Sequence, residues 1–303
     1  MKIRMITGMA LATMLAAGTA MAAETLDTTP RLAVMSAFGP EWIALQEALT
    51  DRKDFEVNGT TFATGLMEGK PVVLFLTGVS MVNAAMTSQL AIDHFELSGI
   101  VFSGIAGGVN PDRHIGDVIV PENWGQYLEV ILARETGDGE FTPPPFLEAS
   151  HANFGMIFPQ EVDVARAGGE IESKFWFAVD AKMLETAKAV AADIALEDCA
   201  GEGACLSHAP SIHVGGNGVS GAAFVDNAAF REYAFDTFEA QVLDMESAAV
   251  AHVADANGVP FIAFRSLSDL AGGGEGENEM GTFMGLASNN SAAVVRAFVA
   301  ALD

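Results

Sequence analysis

Positive charge is scarce in this chain. Fifteen lysines and arginines stand against 40 aspartates and glutamates in 303 residues, for a formal net charge of −25. A nucleic-acid partner needs a basic footprint for its phosphates, so this balance excludes that class. Beyond the first two dozen residues there is no charge-free apolar run of membrane-spanning length, so no spanning helix is expected. Cysteine is rarer still, with only Cys199 and Cys205. The six histidines are scattered, and no second cysteine or histidine pair sits at ligand spacing, so neither a metal nor any other cofactor is expected. Apolar residues, in contrast, make up 50% of the chain and charged residues 18%. That is ample for a packed core and far from a disordered composition.

The first 22 residues stand apart. Lys2 and Arg4 precede a small, mostly apolar stretch from Met5 to Ala17, and Ala20-Met21-Ala22 gives a small-x-small cleavage pattern. This is the layout of a secretory signal peptide, and it predicts an exported protein, periplasmic or secreted, whose mature chain is 23–303. Export would place Cys199 and Cys205 in an oxidising compartment. The Gly-rich spacer Ala200-Gly201-Glu202-Gly203-Ala204 can fold back on itself, so a local disulfide is expected. A loop this small stabilises by roughly 2 kcal/mol on the chain-entropy account.

Along the rest of the chain, short apolar runs alternate with helical patterns. Arg31 to Ser36 reads as a strand, and Pro40 suits the first turn of the helix after it. Phe55 to Gly65, around Asn58-Gly59, carries a hairpin signal. Strands follow at Pro71–Gly78, Ile100–Ser103, Ile115–Pro121, Ile212–Val219 and Phe261–Asp269, with helices at Met81–Phe95, Ala181–Ala195, Asp244–His252 and Ala292–Leu302. Residues 131–180, with Pro143-Pro144-Pro145, read as a long loop or lid inserted between core elements rather than a second domain. The alternation predicts one α/β domain with helices on both faces of its sheet. Gly216-Asn217-Gly218-Val219-Ser220-Gly221 matches a dinucleotide fingerprint but lacks its βαβ context, so it reads as a glycine-rich strand end near a ligand.

Chemistry concentrates in two places. Asp244-Met245-Glu246 opens an apolar helix, and the apolar strand Phe261–Phe264 runs into Arg265, Ser268 and Asp269. Acids placed where buried elements begin and end are costly unless paired or used. Pairing with Arg265 alone would account for both acids. Glu41, near the first strand's carboxyl end and a helix start, either complements the helix dipole or meets a ligand at the sheet edge.

Together these segments resemble the purine nucleoside phosphorylase and uridine phosphorylase superfamily, and within it the 5′-methylthioadenosine/S-adenosylhomocysteine nucleosidases. The likeness rests on Ser36-Ala37-Phe38-Gly39-Pro40-Glu41, Thr77 to Ala85, Ser103-Gly104-Ile105-Ala106-Gly107-Gly108, Ser220 to Val225, and Asp244-Met245-Glu246 with Arg265 to Asp269. It covers nearly the whole mature chain apart from 131–180.

The resemblance implies a three-layer α/β sandwich with a mixed central sheet flanked by helices, acting on a purine nucleoside with water as co-substrate. Asp269, steadied by Ser268, would protonate the leaving purine. Glu246 would hold the ribose hydroxyls and face the charge growing on the sugar, and Glu41 would activate the attacking water with help from Arg265. Met245 would pack on the ribose, Phe224 would stack on the purine beside Val225, and Ala106 and Gly107 would line the site. Phosphorylases of the superfamily carry a basic residue where this chain has Phe102, so hydrolysis is expected over phosphorolysis. Two positions depart from the nucleosidase pattern: Ile105 replaces a small hydroxyl residue and Ala222 an aspartate. They leave a nucleoside-binding or storage protein as an alternative. A homodimer is usual in the nucleosidase branch and is expected here.

Overall fold

The runs Leu32-Ala33-Val34-Met35 and Val72-Val73-Leu74-Phe75 are apolar at every position and fully or almost fully buried. That is the pattern of strands covered on both faces of a sheet. In the computed structural model, which describes residues 24–166, 169–201, 203–274 and 276–302, they pair in parallel with Val34 opposite Leu74. The expected signal segment 1–22 lies outside the described residues.

The strands of the main sheet are β1 (Asp27–Ser36), β2 (Thr50–Val57), β3 (Thr60–Met67), β4 (Lys70–Leu76), β5 (Phe95–Gly108), β6 (Val118–Val120), β7 (Asn123–Gln126), β8 (Trp176–Ala178), β9 (Ile212–Val214), β10 (Asn217–Ser220), β11 (Ala240–Asp244) and β12 (Phe261–Asp269). Their order is β8-β7-β10-β11-β5-β1-β4-β3-β2, with β12 on β5 and β6, and β9 on β6. Helices α1 (Gly39–Glu47), α2 (Met81–His94), α3 (Ala181–Ala191), α4 (Ala228–Phe238), α5 (Ser247–Asn257) and α6 (Met280–Ala301) surround it. Helix α2 packs with α5, and α6 packs with α1 and α3. The result is the mixed sheet flanked by helices that the resemblance implies, with the helices on both faces that the alternation predicts.

Strand β5 organises the sheet. Ile100 faces Ala33 of β1 on one side and Phe261 of β12 on the other, both in parallel. At its far end Gly107 and Gly108 turn to pair antiparallel with Leu243 and Val242 of β11. The sheet therefore forks where β5 becomes glycine-rich. Gly104 is obligatory there: a Cβ would lie 1.8 Å from Nη1 of Arg265 and 2.5 Å from Oε1 of Glu41.

Three readings change. Asp244 closes a strand rather than opening a helix, because Val242 and Leu243 before it are buried between β10 and β5; the helix starts only at Ser247. Helix α6 begins at Met280, twelve residues before the apolar stretch that reveals it, because Gly281 and Gly285 interrupt its pattern. Residues 131–180 hold short ladders, such as Val130–Leu132 with Ile157–Pro159, and β8 joins the main sheet beside β7. This stretch packs on α4, where Tyr233 donates to the carbonyl of Ala152. Cys199 and Cys205 face each other across a two-residue ladder with their sulfurs 2.02 Å apart.

The turn after β4 is strained. Ser80 has φ +80° and ψ 162°, a region populated almost only by glycine. The conformation aims its backbone N–H at the Glu246 carboxylate, 2.7 Å away. Ser80→Gly removes the strain but adds freedom to the unfolded chain, so a net stabilisation of about 1 kcal/mol is expected. Equilibrium urea denaturation reads it, and unchanged or lower stability would contradict the strain.

Candidate active site

The carboxyl ends of five sheet strands meet around one cavity of about 220 Å³. Ala37, Phe38 and Glu41 follow β1, and Val79 follows β4. Ile105, Ala106 and Gly107 come from the glycine-rich end of β5. Leu243 to Glu246 close β11, and Ser268 and Asp269 close β12. Ala223, Phe224 and Val225 form another wall, and Met280 opens α6 across from them. Ligand sites in open α/β sheets gather at this edge.

Glu41 lies buried in the first turn of α1. Its Oε2 accepts the N–H groups of Ala37 at 2.7 Å and Phe38 at 3.4 Å, and its Oε1 accepts that of Ile105 at 2.7 Å. Burial nevertheless pushes its pKa above the ordinary carboxylate value, against the pull of Arg265 and these amides.

Arg265 is 0% exposed. Its Nε lies 2.7 Å from Oδ2 of Asp244 and 3.0 Å from the hydroxyl of Ser247. Nη1 stands 3.8 Å from Glu41 and Nη2 3.6 Å from Glu246, too far for direct hydrogen bonds. The guanidinium lies over the ring of Phe102 at 3.9 Å, a cation–π stack in a dry setting. Asp244 is held from several sides: the hydroxyls of Ser220 and Ser247 donate to it, as do the N–H groups of Glu246 and Ser247. Those two backbone bonds also start α5.

Glu246 occupies the position just before α5, with its side chain turned away from the helix toward Ser80. Burial raises its pKa to about 7 despite Arg265, and Asp244 and Glu41 add to the rise. Asp269 is also raised, chiefly by burial. Its Oδ2 accepts the hydroxyl of Ser268 at 2.9 Å, and its Oδ1 accepts the N–H of Ala271 at 2.8 Å and the side-chain amide of Asn278 at 3.4 Å. A carboxyl whose pKa is raised holds its proton to higher pH, and a held proton can be donated.

The cavity thus gathers Glu41, Glu246, Asp269, Met245, Ser268, Phe224, Val225, Ala106 and Gly107 on its wall. Arg265 is brought to the same place but sits behind the wall, acting on the acids. Phe224 is 56% exposed, an uncovered ring at the rim. Cys199 and Cys205 are not on this wall, nor is any described residue of 131–180; Met280 is. Ala222 is exposed and off the wall, whereas the Ile105 side chain is on it. Sequence reasoning missed Ser220, Ser247 and Asn278. The hydroxyls act only through Asp244, and Asn278 hides in a glycine-rich stretch. His252 is structural, stacked on Phe177 at 4.6 Å and bonded to Gln126.

Comparison with known proteins agrees with this geometry. Residues 31–300 match the model of the Phosphorylase superfamily. A 5′-methylthioadenosine/S-adenosylhomocysteine nucleosidase of Halalkalibacterium halodurans is 29% identical over 274 residues, covering 90% of this chain and 99% of the relative. Bark storage protein A of Populus deltoides is 25% identical over 226 residues, or 72% of this chain and 70% of the relative. The crystal structure of the corresponding nucleosidase from Neisseria meningitidis, in complex with methylthio-immucillin-A, superposes with a TM-score of 0.67 at 25% identity. It covers 90% of this chain and 99% of that one. With nearly its whole described length matched and its acids at the ends of the same sheet, this chain belongs to the phosphorylase superfamily.

Proposed function

We propose that this protein is a purine nucleosidase that hydrolyses the N-glycosidic bond of adenosine-type nucleosides. The observation that carries the reading is the set of three buried acids, Glu41, Glu246 and Asp269, around one cavity with different partners for each. Asp269 donates its proton to the purine as the C1′–N9 bond breaks and the bonding pair leaves with the base. Glu246 faces the sugar, where its charge stabilises the cationic transition state in a site shielded from water. Glu41 takes the proton of the water whose oxygen bonds to C1′, and Arg265 holds both glutamates in place. Base and sugar leave as neutral products.

Electrostatics favours water over phosphate as the nucleophile. The wall carries four acids, while the nearby cation, Arg265, lies behind it with Phe102 stacked on its face. A phosphate dianion would enter a field of its own sign. Similarity to a bark storage protein and the Ile105 side chain on the wall support a second reading, a nucleoside-binding protein without turnover. The N-terminal pattern supports export to the periplasm or beyond, and the bonded Cys199–Cys205 pair is consistent with that compartment. A homodimer completing the open side of the cavity is part of the same proposal, on the resemblance to nucleosidases.

Incubation with adenosine, inosine and 5′-methylthioadenosine should release free base and free sugar at the same rate with or without phosphate. A sugar 1-phosphate formed only when phosphate is supplied would overturn hydrolysis, and tight binding without any product would favour the binding protein. Asp269→Asn should lower turnover by about 10²- to 10⁴-fold while purine binding, followed by calorimetry, survives. Loss of binding in parallel would show a structural role instead.

The raised Glu246 has a consequence for stability. Its folded pKa of about 7 lies above the ordinary 4.5, so the folded state binds the proton more tightly. The stability this supplies is full below about pH 4.5 and is lost as pH rises to about 7. The difference is roughly 3 kcal/mol at 1.36 kcal/mol per unit. Glu246→Gln should erase that slope and leave the protein more stable than wild type at pH 8 but not at pH 4, by urea denaturation at each pH. Its activity should fall with the lost charge.

A further inference from the structure

The stretch Ala271-Gly272-Gly273-Gly274 begins two residues after the acid Asp269 and touches the segment that carries Phe224. The two segments are tied by backbone: the N–H of Asn227 donates to the carbonyl of Ala271 at 3.1 Å. The approach is so close that a Cβ on Gly272, which has φ +88°, would lie 2.3 Å from that nitrogen. Ala271 itself is held at φ +52° while its N–H reaches Asp269.

One side chain closes this arrangement. The amide of Asn278 points Nδ2 at both acids, 3.1 Å from Oδ1 of Asp226 and 3.4 Å from Oδ1 of Asp269. Its Oδ1 is already engaged by the N–H of Met280 at 3.0 Å, at the start of α6. The orientation is therefore fixed: the acceptor end serves the helix, and only donors face the two carboxylates. Asp226 lies two residues after Phe224, so a single amide links the aromatic wall to the acid.

We propose that Asn278 is a positioning residue that couples Asp269 to Asp226, so that the seating of the base against Phe224 and the readiness of Asp269 to give up its proton are set together. The part of this that concerns proton donation rests on the nucleosidase reading. The chemistry of the pair is antagonistic. The Asn278 amide donates to the charged form of Asp269 and lowers its pKa, whereas the Asp226 charge raises it. Other acids on the same cavity wall are Glu41, Asp244 and Glu246; Glu279 and the exposed Glu277 lie on the loop that follows, which Arg231 of α4 meets at Gly273. The Arg231 side chain is spent on the carbonyls of Gly108 and Asn110. The variants below leave all of these in place.

The test is the pH titration of the Asp269 side-chain carboxyl by ¹³C NMR, with the resonance assigned by its loss in Asp269→Asn. Asn278→Ala should move the midpoint up and Asp226→Asn should move it down. Asn278→Asp keeps an acceptor for the Met280 N–H, so α6 keeps its start, yet it removes the donor and should move the midpoint up further. The alkaline limb of kcat/KM for adenosine should shift in the same order. Midpoints that stay put in the Asn278 variants, or that move the same way in Asp226→Asn, would overturn the coupling. The NMR ordering does not depend on turnover. If it holds while wild type releases no base from any nucleoside, the coupling is supported and the nucleosidase reading alone falls.

Discussion

The guanidinium of Arg265 is the constraint on which the site is built. It is wholly buried, bonded to Asp244 at 2.7 Å and flanked by Glu41 and Glu246. Burying charges costs several kcal/mol per ion unless partners compensate. One cation among three acids cannot neutralise them all, so burial drives part of the deficit onto protons. That is why both glutamates have raised pKa values even though each accepts backbone hydrogen bonds. The cluster therefore stores proton affinity at the two glutamates, and Asp244, on the same wall, takes the close contact with Arg265 and the serine hydroxyls.

Backbone follows from the same constraint. The Phe102 ring on β5 lies 3.9 Å from the guanidinium carbon, and two residues later Gly104 leaves no side chain where Nη1 needs room. Strand β5 can then fork between β12 and β11, which brings the ends of both strands and their acids to one cavity. Ser80 sits in a glycine-like conformation to offer its N–H to Glu246. Strain of about 1–3 kcal/mol is characteristic of sites where geometry is fixed by surrounding packing.

Much of this was legible in the sequence, for identifiable reasons. Glu246 and Asp269 stand out because each is an acid at the boundary of an apolar element, where solvation makes such placements costly, whereas Glu41 fits a helix dipole equally well and gains its place only from the resemblance. The parallel strands stand out because burial on both faces removes all polar residues from them. Strand β11 was not legible, since Gln241 to His252 is one apolar run that fits helix or strand until its neighbours β10 and β5 are known. The start of α6 was hidden by Gly281 and Gly285, which weaken a helical pattern that tertiary packing then enforces. Ser220 and Ser247 carried no signal because a hydroxyl that braces a buried acid looks, in one dimension, like any small polar residue.

The loop that follows Asp269 shows how far the local chemistry extends beyond the three acids. Its glycines allow a backbone approach to Asn227 that no larger residue permits. The approach delivers Asn278 to a point between two carboxylates from separate segments. An amide there does what neither a cation nor a hydroxyl could do equally well. A lysine would pin Asp269 in its charged form and prevent it from holding a proton, and a serine could not span both acids. A neutral double donor with its acceptor end occupied by α6 leaves Asp269 protonatable while fixing where its oxygens point. The same principle, a weak and directional partner in place of a strong charge, separates Asp269 from Asp244, which is held by Arg265 and faces no such requirement.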